Sequence, residues 1–233
     1  MLKESLFPDP TPYDDVVALS HSISEPLLLE AYRKGFFPWP HDGIDGIPWF
    51  HPRKRAVLFF EELIINDSLR KAARRSCSEL HFTLNKNFSA VLTECAEIPR
   101  PDQDGTWITP EIEAEYQNLH NKGHAHSVEA WNLDGKLVGG IYGVYTGGFF
   151  AAESMFYHEP NASKLCLLQL IRLLKERGEH LLDIQILTPH MEKLGARELK
   201  RPAFLQEYAR RKFPPRDRLF ESENPVSHSL ASL

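Results

Sequence analysis

Phe149-Phe150-Ala151-Ala152-Glu153-Ser154-Met155-Phe156, followed by Leu181-Leu182-Asp183-Ile184-Gln185-Ile186-Leu187, is the pair of segments that decides the fold. Both are short apolar runs of strand length. The segment between them, starting at Asn161 or Ser163 and closing at Gly178, is apolar on most sides, as in a buried helix. Each strand carries polar residues that such a strand should not bury without reason. Glu153 lies within the first, and Asp183 and Gln185 lie at i and i+2 of the second, on one face. A buried carboxylate is costly unless it is paired. Asp183 alone is equally compatible with capping a helix or pairing with an arginine. Three such residues on two neighbouring strands point to a functional site.

Working upstream, residues 126–131 and 137–145 read as strands joined by a tight turn at Asp134-Gly135, and Gly147-Gly148 turns into residues 149–156. Residues 87–97 and 110–122 read as helices, the second capped by Thr109 with Pro110 in its first turn. Residues 56–65 include a strand-like run, and Asp67 is the expected N-cap of a helix over 67–76. Ser24, Pro26 and Gly35 punctuate a short helix near the start. The prolines of Phe36-Phe37-Pro38-Trp39-Pro40 and Pro48-Trp49-Phe50-His51-Pro52 exclude regular helix or central strand there. Downstream, a helix is expected over residues 189–194. The pattern is α+β: a small loop-rich N-terminal domain over 1–58, a catalytic domain over 59–213, and a poorly ordered tail over 214–233. A meander, a buried helix and a returning strand match the order of the GNAT acyltransferase fold. There two parallel strands, here 149–156 and 181–187, splay around an acyl substrate. That match is an analogy of fold and does not define an activity.

Hydrophobic residues make up 42% of the 233 positions, enough for a globular core. No stretch approaches the ~18–20 apolar residues of a membrane span, and the first residues lack the apolar centre of a signal peptide. Cys77, Cys95 and Cys166 are odd in number and far apart, which suits reduced thiols in the cytoplasm and argues against a disulfide framework or zinc site. His120, His124 and His126 have no carboxylate at a ligand offset, so no metal is expected. The net charge is −5, yet residues 51–75 hold seven basic and three acidic groups, and residues 197–212 six and two. Local potential steers a polyanion more than the total does. Arg70, Lys71, Arg74 and Arg75 share one broad helical face, and Arg53, Lys54 and Arg55 enlarge the basic area; solvated helix surface is the ordinary alternative. Trp39, Trp49 and Trp107 are either core or, for those in Pro-rich loops, the walls of a cleft that stacks a nucleobase.

Several strings then align with one family. Ala31-Tyr32-Arg33-Lys34-Gly35-Phe36-Phe37-Pro38-Trp39, Gly105-Thr106-Trp107-Ile108-Thr109, Gly123-His124-Ala125-His126-Ser127-Val128-Glu129, Val138-Gly139-Gly140-Ile141-Tyr142-Gly143-Val144, Glu153-Ser154-Met155-Phe156 and Asn161-Ala162-Ser163-Lys164 resemble the leucyl/phenylalanyl-tRNA–protein transferases. The resemblance runs in order from about residue 19 to 212. It implies a small N-terminal domain with a GNAT-like domain, and transfer of Leu, Phe or Met from aminoacyl-tRNA to a protein with N-terminal Arg or Lys. The product would carry a degradation signal. Neither a metal nor CoA nor any other cofactor is implied, and the enzyme is expected to be a cytoplasmic monomer.

By the same resemblance, Asp183, Gln185 and Glu153 are the active-site residues. Asp183 and Gln185 position the attacking amine and the basic N-terminal residue, and Glu153 receives a substrate cation. Ile141, Met155, Leu167, Leu170 and Leu174 form the side-chain pocket, Trp49 and Trp107 lie near the 3′-terminal adenosine, and Arg70, Lys71, Arg74 and Arg75 match the tRNA-acceptor surface. The chain departs from the family at Val16-Val17-Ala18-Leu19-Ser20-His21-Ser22, at Trp49-Phe50-His51-Pro52 and at Ala152.

An N-acyltransferase using acetyl-CoA has the same order of elements. It needs glycine-rich amides after the first of the two strands to hold a pyrophosphate. Residues 157–163 contain no glycine, and Pro160 lacks an amide donor. A catalytically inactive RNA-binding or adaptor protein is disfavoured by the intact Glu153, Asp183 and Gln185.

Overall fold

In the computed structural model, which describes residues 6–41, 43–98, 106–146, 148–210 and 224–225, the chain first builds a three-stranded antiparallel sheet. It consists of β1 (Val16–Ser20), β2 (Phe37–Pro38) and β3 (Ile47–Phe50) in the order β1-β3-β2. Pro48 therefore sits in a central strand, against expectation. Its carbonyl accepts from the Trp39 N–H at 3.0 Å, so the missing donor removes at most one bond towards a two-residue neighbour. Helix α1 (Glu25–Arg33) connects β1 to β2. Pro26 lies in its first turn and Gly35 follows it with φ +83°, the punctuation expected from the sequence.

The second sheet has eight strands. They are β4 (Lys54–Phe59), β5 (Leu80–Leu84), β6 (Ala125–Asn132), β7 (Leu137–Tyr145), β8 (Phe150–Tyr157), β9 (Leu181–Gln185), β10 (Arg197–Lys200) and β11 (Asn224–Pro225). Their spatial order is β10-β4-β9-β8-β7-β6-β5-β11, and every neighbouring pair is antiparallel except β8–β9. Residues 54–58, read from sequence as part of the N-terminal domain, thus lie inside this large sheet. The strand-like run expected within 56–65 is the later part of β4, which ends at Phe59. Of the expected tail only β11 is described, and its pairing with β5 departs from an unattached tail at those two residues.

Two layers cover the sheet. On one face pack α2 (Asp67–Glu79) and α5 (Ala162–Glu176), with Leu69, Ala73, Leu165, Leu168, Ile171 and Leu174 buried against Val128, Ala130 and Ile141. On the other lie α1, α3 (Phe88–Glu97), α4 (Pro110–Asn121) and the small sheet. Helices α6 (Pro189–Glu192) and α7 (Arg201–Ala209) complete the chain. Thr109 caps α4 as expected, but α2 is capped by Asn66, whose side chain accepts from the Leu69 N–H at 2.9 Å. Asp67 lies just inside that helix.

Local irregularities position the site. Tyr142 pairs with Ser154 and Gly143 with Ala152, which leaves Glu153 as the extra residue of a β-bulge. A Cβ on Gly143 would stand 2.1 Å from the Ala151 carbonyl oxygen, so the bulge requires glycine opposite it. A Cβ on Gly139 would lie 2.6 Å from that of Ala162, which lets the start of α5 press on β7. Strands β8 and β9 share one registered pair, Ala151 with Asp183, and a cavity opens beyond it.

Candidate active site

Glu153 is half-buried at the bulge. The Gln185 side-chain amide donates to its Oε1 at 2.6 Å, and the Tyr116 hydroxyl approaches Oε2 at 3.4 Å. The Tyr116 and Tyr32 hydroxyls are 2.5 Å apart in the interior. Burial pushes the Glu153 carboxyl up to about 8. Hydrogen bonding from Tyr32 opposes this, the Asp183 charge adds to it, and Arg55 and Gln185 act in the opposing direction. Burial and the Glu153 charge hold both tyrosine hydroxyls well above their ordinary range, so they remain donors.

Asp183 lies deeper. Arg55 Nε and Nη2 donate to its two oxygens at 2.8 and 2.7 Å, and the Gln185 backbone N–H donates to Oδ1 at 3.0 Å. The guanidinium stacks between the rings of Phe37 and Phe204, 4.6 and 4.9 Å from their centroids. Gln185 ends β9 with φ +57°, in the left-handed region that non-glycine residues avoid. A second bulge leaves Ile184 without a partner on β4. The Asp183 bond to the Gln185 backbone thus fastens an unfavourable turn and aims the Gln185 side chain at Glu153.

Two cavities adjoin this centre. The first, of about 220 Å³, is lined by Ile141, Met155, Leu167, Leu182, Ile184 and Met191, with Ala152, Glu153, Ser154, Gln185, Ile186 and Thr188 completing its wall. The second, of about 150 Å³, is lined by Phe37, Pro38, Trp39, Trp107, Glu153, Ile184, Gln185, Ile186 and Thr188. Glu153 and Gln185 line both cavities; Asp183 lines neither.

The structure brings Glu153, Gln185, Ile141, Met155 and Leu167 together on the wall of the first cavity and Trp107 onto that of the second, and it places several other residues singled out in the sequence elsewhere. Leu170 and Leu174 point into the core, at 1% and 0% exposure, and do not line the first cavity. Of that helical stripe only Leu167 reaches it. Trp49 is fully buried and its indole N–H donates to the Ser20 hydroxyl at 2.9 Å. Its place on central strand β3 commits it to the core, and Trp39, just past the end of β2, lines the second cavity instead. Arg70, Lys71, Arg74 and Arg75 are all exposed on α2, which packs against β5 and is separated from β8 by β7 and β6. Arg55 is withdrawn into the core, so it contributes nothing to a basic surface. His120 stacks on Phe88 at 4.3 Å, and His126 contacts Asn85 and the Gly123 carbonyl. Tyr32, Tyr116 and Arg55 were not legible as site residues, since none carries a local signal and all three reach the centre through long-range packing. Flanking prolines on both sides of Trp39 were the one available hint for that residue. Among the described residues no helix is long and apolar enough to cross a membrane.

Two family models match the chain: the leucyl/phenylalanyl-tRNA protein transferase N-terminal domain over residues 22–53, and the leucyl/phenylalanyl-tRNA protein transferase over residues 57–209. A leucyl/phenylalanyl-tRNA–protein transferase of Colwellia psychrerythraea is 44% identical over 208 residues, covering 87% of this chain and 85% of that protein. One of Syntrophus aciditrophicus is 47% identical over 193 residues, covering 82% and 78%. Among solved structures, L-PGS from Bacillus licheniformis aligns over 72% of this chain and 52% of its own, at 13% identity and a TM-score of 0.40.

Proposed function

This chain belongs to the leucyl/phenylalanyl-tRNA–protein transferase family and is an aminoacyltransferase; on that premise we propose that it moves Leu, Phe or Met from aminoacyl-tRNA to the α-amine of proteins beginning with Arg or Lys. The product carries a new N-terminus that marks it for degradation. The observation that carries this reading is that Glu153 and Gln185 stand on the wall shared by two cavities of different character. The first is apolar and takes the amino-acid side chain, with Met155 and Met191 able to adapt to branched, unbranched or aromatic guests. The second offers Trp39 and Trp107 to the terminal adenine. The ester then lies at their junction.

The reaction itself asks little of an acid or base. The α-amine nitrogen attacks the ester carbonyl carbon, the carbon–oxygen bond to the ribose breaks, and the departing ribose oxygen ends as a hydroxyl with the amine's proton. An α-amine has a pKa near ~8, so part of it is already the free nucleophile at neutral pH. Holding amine and ester together supplies most of what is needed. Glu153 receives the cationic end of the acceptor and Gln185 orients Glu153. Asp183 acts through Gln185, because its own oxygens are occupied by Arg55 and the Gln185 N–H. The parallel β8–β9 pair that parts around a cavity supports a GNAT-like reading of the larger domain. Exposed Arg70, Lys71, Arg74 and Arg75 serve as the tRNA-acceptor surface. The enzyme acts as a monomer in the cytoplasm, where the buried thiols of Cys95 and Cys166 stay reduced.

The test is incubation with Phe-tRNA or Leu-tRNA and a peptide beginning with Arg. Label at the peptide N-terminus is expected, and none on a peptide beginning with Asp. No label from aminoacyl-tRNA, together with acylation from acetyl-CoA, would overturn the reading. Arg74→Glu with Arg75→Glu should raise the tRNA concentration required and flatten the salt dependence.

A further inference from the structure

Two buried hydroxyls stand at the Glu153 oxygen that Gln185 leaves free. The Gln185 amide donates to Oε1 at 2.6 Å, and the Tyr116 hydroxyl reaches Oε2 at 3.4 Å. The Tyr32 hydroxyl is 2.5 Å from that of Tyr116 and hydrogen-bonds with the same carboxyl. The two rings meet edge to face, with 6.4 Å between centroids, and are 3% and 0% exposed. Tyr32 comes from α1, which joins two strands of the small sheet, and Tyr116 from α4, which packs on β6 of the large one. Further polar bonds fasten these helices to each other. Glu111 and Glu115 of α4 accept from the Ile23 and Glu25 backbone N–H groups at 3.3 and 2.6 Å, and Lys122 pairs with Glu25 at 2.5 Å. At the other end of α1 the Tyr32 carbonyl accepts from the Tyr208 hydroxyl. The small sheet and its helix thus deliver a hydroxyl to a carboxyl that belongs to the large sheet.

Buried tyrosine hydroxyls ordinarily need no reason beyond a partner of their own, and that of Tyr208, on a backbone carbonyl, is such a case. Tyr32 and Tyr116 differ because they converge on one carboxyl, which lines both cavities. An ionised carboxyl has about four lone-pair positions. Donors on both oxygens fix the plane of the group and leave the remaining positions for a cation entering from the cavities. The charged groups that face Glu153 are Asp183 on β9 and Arg55 on β4, and these two are locked to each other. Gln185 and the two tyrosines are therefore its neutral donors, and donors of that kind favour the ionised form.

We propose that Tyr32 and Tyr116 are positioning residues for the acceptor: they hold the Glu153 carboxylate in the orientation that receives the basic N-terminal residue. Recognition of the acceptor then depends on the seating of α1 against α4. This rests on the reading in which Glu153 takes the cationic end of the acceptor.

The experiment measures kcat and KM for an Arg-initiated peptide and for Phe-tRNA, as a function of pH, in the unaltered enzyme, Tyr116→Phe and Tyr32→Phe. Phenylalanine keeps each ring, including the edge contact of Tyr116 with Trp107 at 6.3 Å, and removes only the hydroxyl. For Tyr116→Phe, KM for the peptide should rise by about tenfold, the order expected when a hydrogen bond to a charged group is lost. KM for Phe-tRNA should hold. The pH at which the peptide KM falls should move upward, because the ionised form has lost a donor. Tyr32→Phe should shift both quantities in the same direction. In a Glu153→Gln background, Tyr116→Phe should change the peptide KM by less than about twofold, since residues acting through one group are not additive. A lower Tm with the peptide KM and its pH dependence unchanged would overturn the proposal and leave the tyrosines as packing. So would an equal rise in KM for Phe-tRNA, which would place them on the donor side. If the unaltered enzyme does not distinguish a peptide beginning with Arg from one beginning with Asp, the parent reading of Glu153 falls. If it does distinguish them and both variants match it, that reading stands and only the positioning role is refuted.

Discussion

Arg55 grips Asp183 by both carboxylate oxygens, at 2.8 and 2.7 Å, with the two side chains only 1% and 2% exposed. This pair joins β4 to β9 next to the site, and it makes Asp183 a strut for Gln185 instead of a group open to substrate. Removing one member of a buried pair leaves the other charge uncompensated, at a cost of roughly 3–5 kcal/mol. Arg55→Leu and Asp183→Asn should each lower urea-unfolding stability on that scale. The double change Arg55→Leu/Asp183→Leu should recover much of the stability and little of the activity, because the Gln185 N–H has lost its acceptor. A fully active double variant would show that the strut is dispensable.

Gln185 holds φ +57°, a conformation costing a non-glycine residue about 1–2 kcal/mol. Gln185→Gly should therefore fold at least as stably as the parent, while the 2.6 Å bond to Glu153 is gone. Turnover is expected to drop by about tenfold or more, the loss of roughly 1.4 kcal/mol of transition-state positioning. Thermal unfolding and kcat measured on one preparation separate the two effects; a clear fall in Tm would refute the backbone argument.

Glu153 takes up a proton on folding across part of the pH range, because its folded value of about 8 exceeds the ordinary carboxylate value. Its stabilising contribution is whole below the unfolded pKa and is lost as pH rises towards 8. Glu153→Gln removes that loss. The variant should gain Tm relative to the parent between pH 5 and 8, by roughly 2–4 °C per kcal/mol for a chain of this size. In the parent, KM for an Arg-initiated peptide should fall as pH rises through 8 and the carboxylate forms. The Gln variant should show neither that trend nor efficient transfer. A Tm difference independent of pH would contradict the proposed protonation.

Trp39 and Trp49 should separate cleanly. Trp39→Ala removes a wall of the second cavity and should raise KM for aminoacyl-tRNA by about tenfold, in line with ~1–3 kcal/mol per stacked base, with little change in Tm. Trp49→Ala empties a fully buried position and should cost about 3–5 kcal/mol of stability. The reverse pattern would restore Trp49 to the substrate side.

Much of this was legible along the chain. Strand lengths, the buried helix after β8, the Thr109 cap and the Pro26–Gly35 punctuation follow from local rules that act over a few residues. Glu153, Asp183 and Gln185 stood out because polar groups on apolar strands violate those rules. Other features had no local signal. The sequence places Glu153 and Met155 at i and i+2, which in a regular strand would give them one face. The bulge opposite Gly143 separates them, with Glu153 facing Tyr116 and Gln185 and Met155 facing the core beside α5.

By itself, then, the sequence determined the α+β character, the family to which the chain belongs and the two strands that carry the centre. These are written in periodicity, turn residues and ordered motifs that need no knowledge of distant neighbours. Only the tertiary structure decided which residues face the cavities. Arg55 and Asp183 lie 128 positions apart and Tyr32 and Tyr116 84 apart, so no window of sequence contains either pair. Trp39 rather than Trp49, and Leu167 rather than Leu170 or Leu174, were selected by register, helical packing and bulges. Those depend on the simultaneous burial of all the elements around them.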